Sequence, residues 1–344
     1  MAKMSVSAVK PEDYIPAKRL DRTNAITGEL FPKLSVSKRS IARSTTLEIV
    51  SGNKAGRGLS PIYLDDKEHL NLPMVLPQSR RRRIAFGWYG GKFNHLDWLL
   101  PLLPKSHHYC EPFSGSASVL LNLEPSPVET YNDIDGEVVN FFRVLRDQNA
   151  ELERAIALTP FSREEFYKAI VGSMRGVSDL ERARRFYIRA RQTRTGLAQT
   201  ATLGRWANCK DTSRAGMSGV VSRWLGGVEA LASIGTRLIR VQIENRPALD
   251  LIRLYDSKIT LFYCDPPYLH DTRGDSNAYG FEMEEVEHVE LAEVLKHCKG
   301  KVAISGYRNL LMDKLYKDWR RFDAPLKQCH SIKKMRQECV WMNY

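Results

Sequence analysis

Short apolar runs alternate with stretches of helical spacing from residue 84 onward, and this alternation predicts the fold. The run at 259–264 (ITLFYC) is nearly continuous, as in a strand that is buried on both faces of a sheet. Runs at 108–111, 128–131 and 301–307 predict further strands. Because helical stretches separate these strands, we expect an α/β fold with a mostly parallel sheet.

The pattern changes in the middle of the chain, between the runs at 128–131 and 259–264. Apolar residues there follow a helical period, as shown by Leu152, Ile156, Phe166 and Ile170. A second helical stretch covers 180–191, and a region rich in Gly, Ser, Thr and Asn, which favour loops, follows at 192–219. We therefore predict a mainly helical insert over residues 149–240.

The composition favours a soluble protein that contacts a polyanion. A hydrophobic content of 43% in 344 residues is enough for a core, and no apolar run is long enough to cross a membrane. The six cysteines are scattered, which predicts neither a disulfide framework nor a metal site. No apolar signal segment opens the chain, so we expect a cytoplasmic protein. The net charge of +12 and the pI of about 9.4 favour a nucleic acid as partner.

The positive charge is concentrated near the N-terminus. Residues 1–83 contain 16 Lys and Arg against 8 Asp and Glu, with repeated Pro and Gly and no sustained helical period. We interpret this segment as a poorly ordered basic arm. It ends in four arginines at 80–83, which either contact phosphates or belong to a solvated linker.

The strongest chemical signal is the tetrapeptide Asp265-Pro266-Pro267-Tyr268, which follows the predicted strand at 259–264. Ligands of open α/β sheets bind at the carboxyl edge, where this tetrapeptide would lie. Two prolines remove amide donors and stiffen the loop, which leaves oxygen acceptors beside an aromatic ring. Such a site suits a planar group with an exocyclic amine, such as adenine. The alternative is a turn in which Pro-Pro only ends the strand.

Two further turns and an acidic segment have the features of a cofactor site. Residues 86–92 (FGWYGGK) form a glycine-rich turn in which the backbone can approach a ligand. Residues 108–118 predict a strand, a Gly- and Ser-rich turn and a helix start, as in a Rossmann-like sheet without the full G-x-G-x-x-G spacing. Asp133 and Asp135 follow the strand at 128–131. An acidic residue at this place commonly binds ribose hydroxyls, and a helix N-cap is the competing role for Asp135.

Taken together, these motifs resemble the Dam-type, alpha-group DNA N6-adenine methyltransferases. The matching segments occur in the order of that family: YGGK at 89–92, EPFSGS at 111–116, NDID at 132–135 and DPPY at 265–268. The similarity continues through 287–291, 301–307 and 338–343, and it covers roughly residues 84–344.

The resemblance implies a Rossmann-like, S-adenosylmethionine-dependent methyltransferase sheet with an inserted, mainly helical target-recognition domain. The catalytic domain would consist of residues 84–148 and 241–344, and the recognition insert of residues 149–240. An antiparallel terminal strand at 338–344 is also implied.

The resemblance further implies S-adenosylmethionine as methyl donor, with no metal. The implied cofactor-binding residues are Trp88, Tyr89, Lys92, Glu111, Pro112, Phe113, Ser114, Gly115, Asp133 and Asp265. Lys92, with Trp88 and Tyr89, would contact the methionine part of the cofactor. Asp133 would accept hydrogen bonds from the ribose hydroxyls, and residues 111–115 would form the turn beneath the cofactor.

The implied catalytic residues are Asp265, Pro266, Pro267 and Tyr268. Asp265 and the carbonyl of Pro266 would hold the N6 amino group of an adenine that has been flipped out of the duplex, and Tyr268 would stack on the base. Because the sulfonium is already electrophilic, alignment of the amine is the main requirement.

Two positions depart from the family pattern. Ser116 stands where relatives usually have a second glycine. Pro247 stands where they usually have an acidic residue that contacts the adenine amine of the cofactor. Glu244, Asn245, Asp250 or a backbone acceptor are candidates for replacing that acid.

Arginines are frequent in the insert, where they alternate with Phe186, Tyr187 and Trp206. The resemblance identifies this region as the target-recognition domain, and we assign DNA binding to Arg189, Arg191, Arg194 and Arg205. For arginines on the helix, the alternative is a solvated face with intrahelical ion pairs.

The implied function is site-specific methyl transfer to N6 of adenine in double-stranded DNA. A cytosine-N4 methyltransferase would use the same geometry, although Asp265 favours adenine. A DNA-binding relative with impaired catalysis is the other alternative, which Pro247 suggests. A restriction endonuclease is a candidate partner, a monomer is favoured, and the implied setting is the cytoplasm of a bacterium or of a phage host.

Overall fold

The computed structural model of this protein describes residues 82–194, 198–213, 216–269, 280–325, 327–328 and 335–344. The predicted basic arm at 1–83 therefore lies, apart from its last two residues, outside the described residues.

A seven-stranded sheet forms the centre of the described chain. Its strands are β1 (His108–Glu111), β2 (Val128–Asn132), β3 (Val241–Glu244), β4 (Thr260–Cys264), β5 (Lys301–Tyr307), β6 (Arg320–Asp323) and β9 (Glu338–Met342). A separate two-stranded ladder joins β7 (Lys327–Gln328) to β8 (Met335–Arg336).

The strand order is β3-β2-β1-β4-β5-β9-β6, and the pairs from β3 to β5 are parallel. Only β9 runs antiparallel to its two neighbours, as predicted for the terminal strand. The chain leaves β1 toward β2 on one side and later returns to β4 on the other, so the order reverses between β1 and β4. A crevice for ligands forms at such a reversal, at the carboxyl ends of the strands.

The apolar run that predicted β4 is buried on both faces, as expected for a central parallel strand. Leu261 and Tyr263 belong to the hydrophobic cluster on one face of the sheet. Phe262 and Cys264 belong to the cluster on the other face. The edge strands β3 and β6 are only partly buried.

Helices cover both faces of the sheet. They are α1 (Leu96–Leu99), α2 (Gly136–Asp147), α3 (Asn149–Ala157), α4 (Arg163–Val171), α5 (Asp179–Gln192), α6 (Gly219–Leu238), α7 (Ala248–Tyr255), α8 (Glu285–Lys296) and α9 (Leu310–Leu315). Helices α1 to α6 contribute to the first cluster, and α7, α8 and α9 contribute to the second. The Rossmann-like α/β fold predicted from the sequence is confirmed.

The predicted insert is mainly helical, with α3 to α6 between β2 and β3. Its helices α5 and α6 pack against α2, and they share one hydrophobic cluster with the sheet. At the end of α6, the buried Arg237 donates to both carboxylate oxygens of Glu129 on β2, each at 2.6 Å. The insert therefore returns to the sheet through a buried ion pair. Within the described residues, no helix has the length and apolar character needed to traverse a bilayer.

Candidate active site

A cavity of about 440 Å³ opens at the carboxyl ends of β1, β2 and β4. Its walls include every residue predicted to bind the cofactor: Trp88, Tyr89, Lys92, Glu111, Pro112, Phe113, Ser114, Gly115, Asp133 and Asp265. Segments that are distant in the sequence thus meet at one edge of the sheet. The start of α7 and six residues between 281 and 291 also line the cavity.

In the turn after β1, the backbone reaches the cavity at Gly115. Gly115 has a φ of 48°, and a Cβ atom there would lie 2.6 Å from Nε1 of Trp88. Its N–H donates to Oδ2 of Asp133 at 2.8 Å, and its carbonyl accepts from the Tyr131 hydroxyl at 2.9 Å. Any side chain at this position would be strained and would displace Trp88.

Asp133 lies in the cavity wall, and backbone donors hold its carboxylate. Besides the bond from Gly115, its Oδ1 accepts from the N–H of Asp135 at 2.9 Å. Burial raises the pKa of Asp133 to about 6, although these N–H donors oppose the increase. Asp135 takes the competing role considered above, because it caps α2 by accepting from the N–H of Glu137 at 2.9 Å.

Asp265 has both carboxylate oxygens fixed by side chains from different elements. Lys92 donates from Nζ to Oδ2 at 2.7 Å, and Ser305 on β5 donates from Oγ to Oδ1 at 2.7 Å. Lys92 is buried, which by itself would lower its pKa, but the carboxylates of Asp265 and Glu338 outweigh burial, and the pKa of Lys92 is raised. A charged lysine therefore holds Asp265 at the edge of the cavity.

The ring of Tyr268 packs beside this pair and does not line the cavity. Its hydroxyl donates to Oε1 of Glu338, its ring meets Tyr307 edge-on at 4.9 Å between centroids, and Nζ of Lys92 lies 4.9 Å from its centroid. Of the tetrapeptide, Asp265 and Pro267 reach the cavity wall.

Sequence reasoning missed Glu338 and His288 as members of the site. Glu338 opens the buried strand β9, and His288 on α8 contacts the carbonyl of Pro267 at 3.0 Å through Nε2. The available signal for Glu338 was a carboxylate at the start of an otherwise apolar segment, which is costly to bury unless it has partners.

Glu111 is a second buried carboxyl group at the cavity, at the end of β1. Burial raises its pKa to about 8, and the hydrogen bond from the Tyr109 hydroxyl at 2.6 Å opposes that increase. The negative charge of Asp265 contributes to the same increase. Glu111 is therefore mostly protonated at neutral pH in the folded protein.

Residues 88–337 match the family described as D12 class N6 adenine-specific DNA methyltransferase. The chain belongs to this family. Its members are enzymes that methylate adenine in DNA, as the sequence predicted, and the family implies DNA as substrate and S-adenosylmethionine as methyl donor. No curated protein matches the sequence.

The rRNA methyltransferase aviRa from Streptomyces viridochromogenes is among the solved structures to which this structure is similar. The two chains are 12% identical with a TM-score of 0.28, over 72% of this chain and 82% of that chain.

Pro247, where the family resemblance led us to expect an acidic residue, is the N-cap residue of α7 and lines the cavity. Of the candidate replacements, Glu244 accepts from the Tyr255 hydroxyl at 2.9 Å and does not reach the cavity wall. Asn245 donates to the carbonyls of Asp133 and Ile134 and also lies outside the wall. A further candidate side chain, Asp250 in the first turn of α7, lines the cavity.

The four predicted DNA-binding arginines have different surroundings. Arg189 is turned inward, where Nη1 donates to the carbonyl of Ala169 at 2.9 Å and burial lowers its pKa. Arg191 donates to the carbonyl of Arg223. Arg194 is exposed and Arg205 is half-buried, and neither side chain bonds to another side chain or backbone group in the described parts of the chain.

Other helical arginines also form ion pairs, and two of them pair within their own helix, as the alternative interpretation anticipated. Arg184 and Arg185 both pair with Glu181 on α5, at 2.6 Å and 2.8 Å. Arg182 pairs with Glu137 on α2 at 2.5 Å. The pair of Arg182 joins α5 to α2, and all three guanidinium groups are engaged by carboxylates, so they are poorly placed to contact a groove.

Proposed function

We propose that this cavity binds S-adenosylmethionine and that Asp265 holds the target adenine at its edge. The observation that carries this proposal is the double fixation of Asp265 by Lys92 and Ser305, at the crevice between β1 and β4. A carboxylate that is oriented in advance can accept from an exocyclic amine without reorganising, which is the main source of electrostatic catalysis.

The walls of the cavity fit such a cofactor. Asp133 supplies a carboxylate that can accept from hydroxyl groups, and Phe113 and Met283 supply apolar surface. The Gly115 turn allows the backbone to approach closely, for the steric reason given above. When bound, S-adenosylmethionine supplies a methyl group on a positively charged sulfur.

We propose that Asp250 takes over the role of the acidic residue that the family resemblance led us to expect at position 247. It belongs to the same cavity wall as Pro247 and Ala248, so its carboxylate is available to the adenine amine of the cofactor. Arg253, which also lines the cavity, pairs with Asp250 at 3.3 Å and would orient that carboxylate. Asp250 would thus make the contact to the adenine amine of the cofactor that an acidic residue at another position makes in the family.

Asp265 and the carbonyl of Pro266 are proposed to accept the two N6 hydrogens of the flipped base. This arrangement turns the nitrogen lone pair away from the ring and toward the methyl group. Tyr268 is proposed to stack on the base, and in this structure its ring is packed between Lys92 and Tyr307. Stacking would therefore require the ring face to become accessible when DNA binds.

Target recognition is proposed to lie in the loop between α5 and α6. The backbone N–H of Arg194 donates to the carbonyl of Arg205 at 2.8 Å, so the two residues are neighbours in this loop. The guanidinium of Arg163 lies over the ring of the neighbouring Trp206, 4.6 Å from the ring centroid. Basic and aromatic side chains together suit contacts with both phosphates and bases.

We further propose a domain organisation, an oligomeric state and a partner for this protein. Residues 84–148 and 241–344 form the catalytic domain, residues 149–240 form the recognition domain, and the basic segment at 1–83 adds phosphate contacts. The protein acts as a monomer in the cytoplasm without a metal, and a restriction endonuclease is its candidate partner. Among the described residues, no cluster of three or more His, Cys, Asp or Glu could hold a metal ion.

Replacement of Asp265 tests the proposed site. We expect Asp265→Ala to abolish nearly all formation of N6-methyladenine in plasmid DNA from a host that lacks adenine methylation, as measured by mass spectrometry of nucleosides. Binding of S-adenosylhomocysteine, measured by calorimetry, should persist, because the other cofactor contacts remain. Asp265→Asn preserves the shape of the side chain, and the exposed Asp318→Ala is the matched control. If Asp265→Ala methylates as fast as the parent, the proposed role is wrong.

A further inference from the structure

We propose that Glu338 is a positioning residue for methyl transfer, because it adds a second negative charge beside the buried Lys92, whose charge Asp265 alone would balance. Glu338 does not line the cavity, and it acts through its contacts with Lys92 and Tyr268. The inference rests on the proposed role of Asp265.

The position of Glu338 follows from the register of β9. Glu338 is paired with Tyr307 across the antiparallel ladder, at the end of β5 that lies beside the tetrapeptide. Its Oε1 accepts from the Tyr268 hydroxyl and lies 3.4 Å from Nζ of Lys92. The side chains of Glu338 and Lys92 are 7% and 3% exposed, so water screens this contact poorly.

The charges of this group determine its effect on the reaction. Lys92 and Asp265 alone would form a neutral pair, and a lysine held by a single carboxylate weakens that carboxylate as an acceptor. With Glu338 the ammonium is shared between two carboxylates, at 2.7 Å and 3.4 Å, and the group carries one net negative charge. More of the negative charge on Asp265 is then available to the target amine.

The reaction needs that negative charge at the amine. The lone pair of N6 forms the new bond to carbon while the carbon–sulfur bond breaks and its electron pair stays on sulfur. Positive charge therefore moves from sulfur to N6, until N6 releases one proton to water. An anionic group that is already oriented beside N6 stabilises this charge in the transition state.

Glu338→Gln separates charge from shape. The amide keeps an Oε1 that can accept from both Tyr268 and Lys92, and it removes the negative charge. We expect the single-turnover rate of methylation to fall on the order of 10-fold to 100-fold. The KM for DNA and the dissociation constant for S-adenosylhomocysteine should stay within about twofold of the parent, because the effect is confined to the transition state.

The pH profile gives a readout that a purely structural role would not change. Burial raises the pKa of Glu338, and Lys92 opposes the increase, so protonation of Glu338 should reduce the rate at acidic pH. Asp265, Tyr263, Tyr268 and Cys339 are further titratable groups that interact electrostatically with Glu338. In Glu338→Gln, the decrease in methylation rate that protonation of Glu338 causes at acidic pH should be absent. Glu338→Asp keeps the negative charge and should therefore recover part of the rate.

The controls distinguish this inference from the proposed function. Glu293→Gln on α8 removes a carboxylate that is 63% exposed and should leave the rate unchanged. Thermal melting identifies any variant that fails to fold. If Glu338→Gln does not fold, the test uses Glu338→Asp instead. If Asp265→Ala is inactive and Glu338→Gln matches the parent in rate and pH profile, this inference is wrong and the role of Asp265 stands. If Asp265→Ala is fully active, both are wrong.

Discussion

Gln199 donates from Nε2 to Oδ2 of Asp135 at 2.7 Å, and this bond joins the insert to the end of β2. The same side chain accepts from the N–H of Gly280 at 2.9 Å through Oε1. Gln199 and the neighbouring Phe281 also line the cavity that is proposed to bind the cofactor. One side chain thus connects the loop proposed to read DNA with two segments around the cavity, so binding at the two places should be coupled.

We predict that Gln199→Ala weakens this coupling. In the parent, DNA should increase the affinity for S-adenosylhomocysteine, and couplings of this kind amount to about 1–3 kcal/mol. The variant should show a smaller ratio between the dissociation constants with and without DNA, measured by calorimetry. Gln148→Ala, at an exposed position, is the matched control. An unchanged ratio in Gln199→Ala would show that the two bonds are only structural.

Glu111→Gln should stabilise the protein, and more at high pH than at low pH. The pKa of Glu111 is about 8 in the folded state, above its ordinary value of 4.5, so the folded state keeps a proton that the unfolded state has lost. Stability from this group is complete below pH 4.5 and decreases as pH rises toward 8, by on the order of a few kcal/mol. Glutamine retains the bond from Tyr109 and cannot ionise.

The measurement for Glu111 is the free energy of unfolding from urea denaturation at pH 5 and pH 8. The advantage of Glu111→Gln over the parent should be clearly larger at pH 8. Glu124→Gln, which removes a carboxylate that is 70% exposed, is the matched control. The same difference at both pH values would contradict the explanation based on burial.

Arg237→Met should destabilise the protein strongly. It would leave Glu129 buried without its partner, and breaking a buried ion pair on one side costs about 3–5 kcal/mol. The double variant Arg237→Met with Glu129→Met removes both charges and should recover much of this loss. Urea denaturation of the three variants and the parent gives the comparison. A double variant as unstable as the sum of the single variants would show that charge burial is not the cause.

Arg194→Ala or Arg205→Ala should change the sequence context of methylation. A bidentate contact to guanine contributes about 1–3 kcal/mol of discrimination, whereas a phosphate contact affects all sequences alike. Arg182→Ala and Arg185→Ala should instead lower stability, because those side chains form ion pairs with Glu137 and Glu181. Sequencing that detects modified bases in DNA co-expressed with each variant gives the profiles. Identical profiles for Arg194→Ala, Arg205→Ala and the parent would place recognition elsewhere.

The fold and the walls of the site could be predicted from local sequence signals. The continuous apolar run of β4 can only be buried on both faces, and the DPPY segment after it must then lie at the carboxyl edge of the sheet. A Gly- and Ser-rich turn after β1 was likewise predicted, and Gly115 there adopts a positive φ that other residues rarely adopt. These consequences depend on a few neighbouring residues, which is why a pattern in the sequence reveals them.

Only the tertiary structure decided which side chains are partners. Glu338 and Lys92 are far apart in the sequence, and their contact depends on the register of β9 against β5. The inward direction of Arg189 likewise depends on how α5 packs against α2 and α4. Spacing along the chain determines where an element forms and which residues share its face. The contact that a charged side chain makes depends on the elements packed around it, because a buried charge requires a partner wherever the fold supplies one.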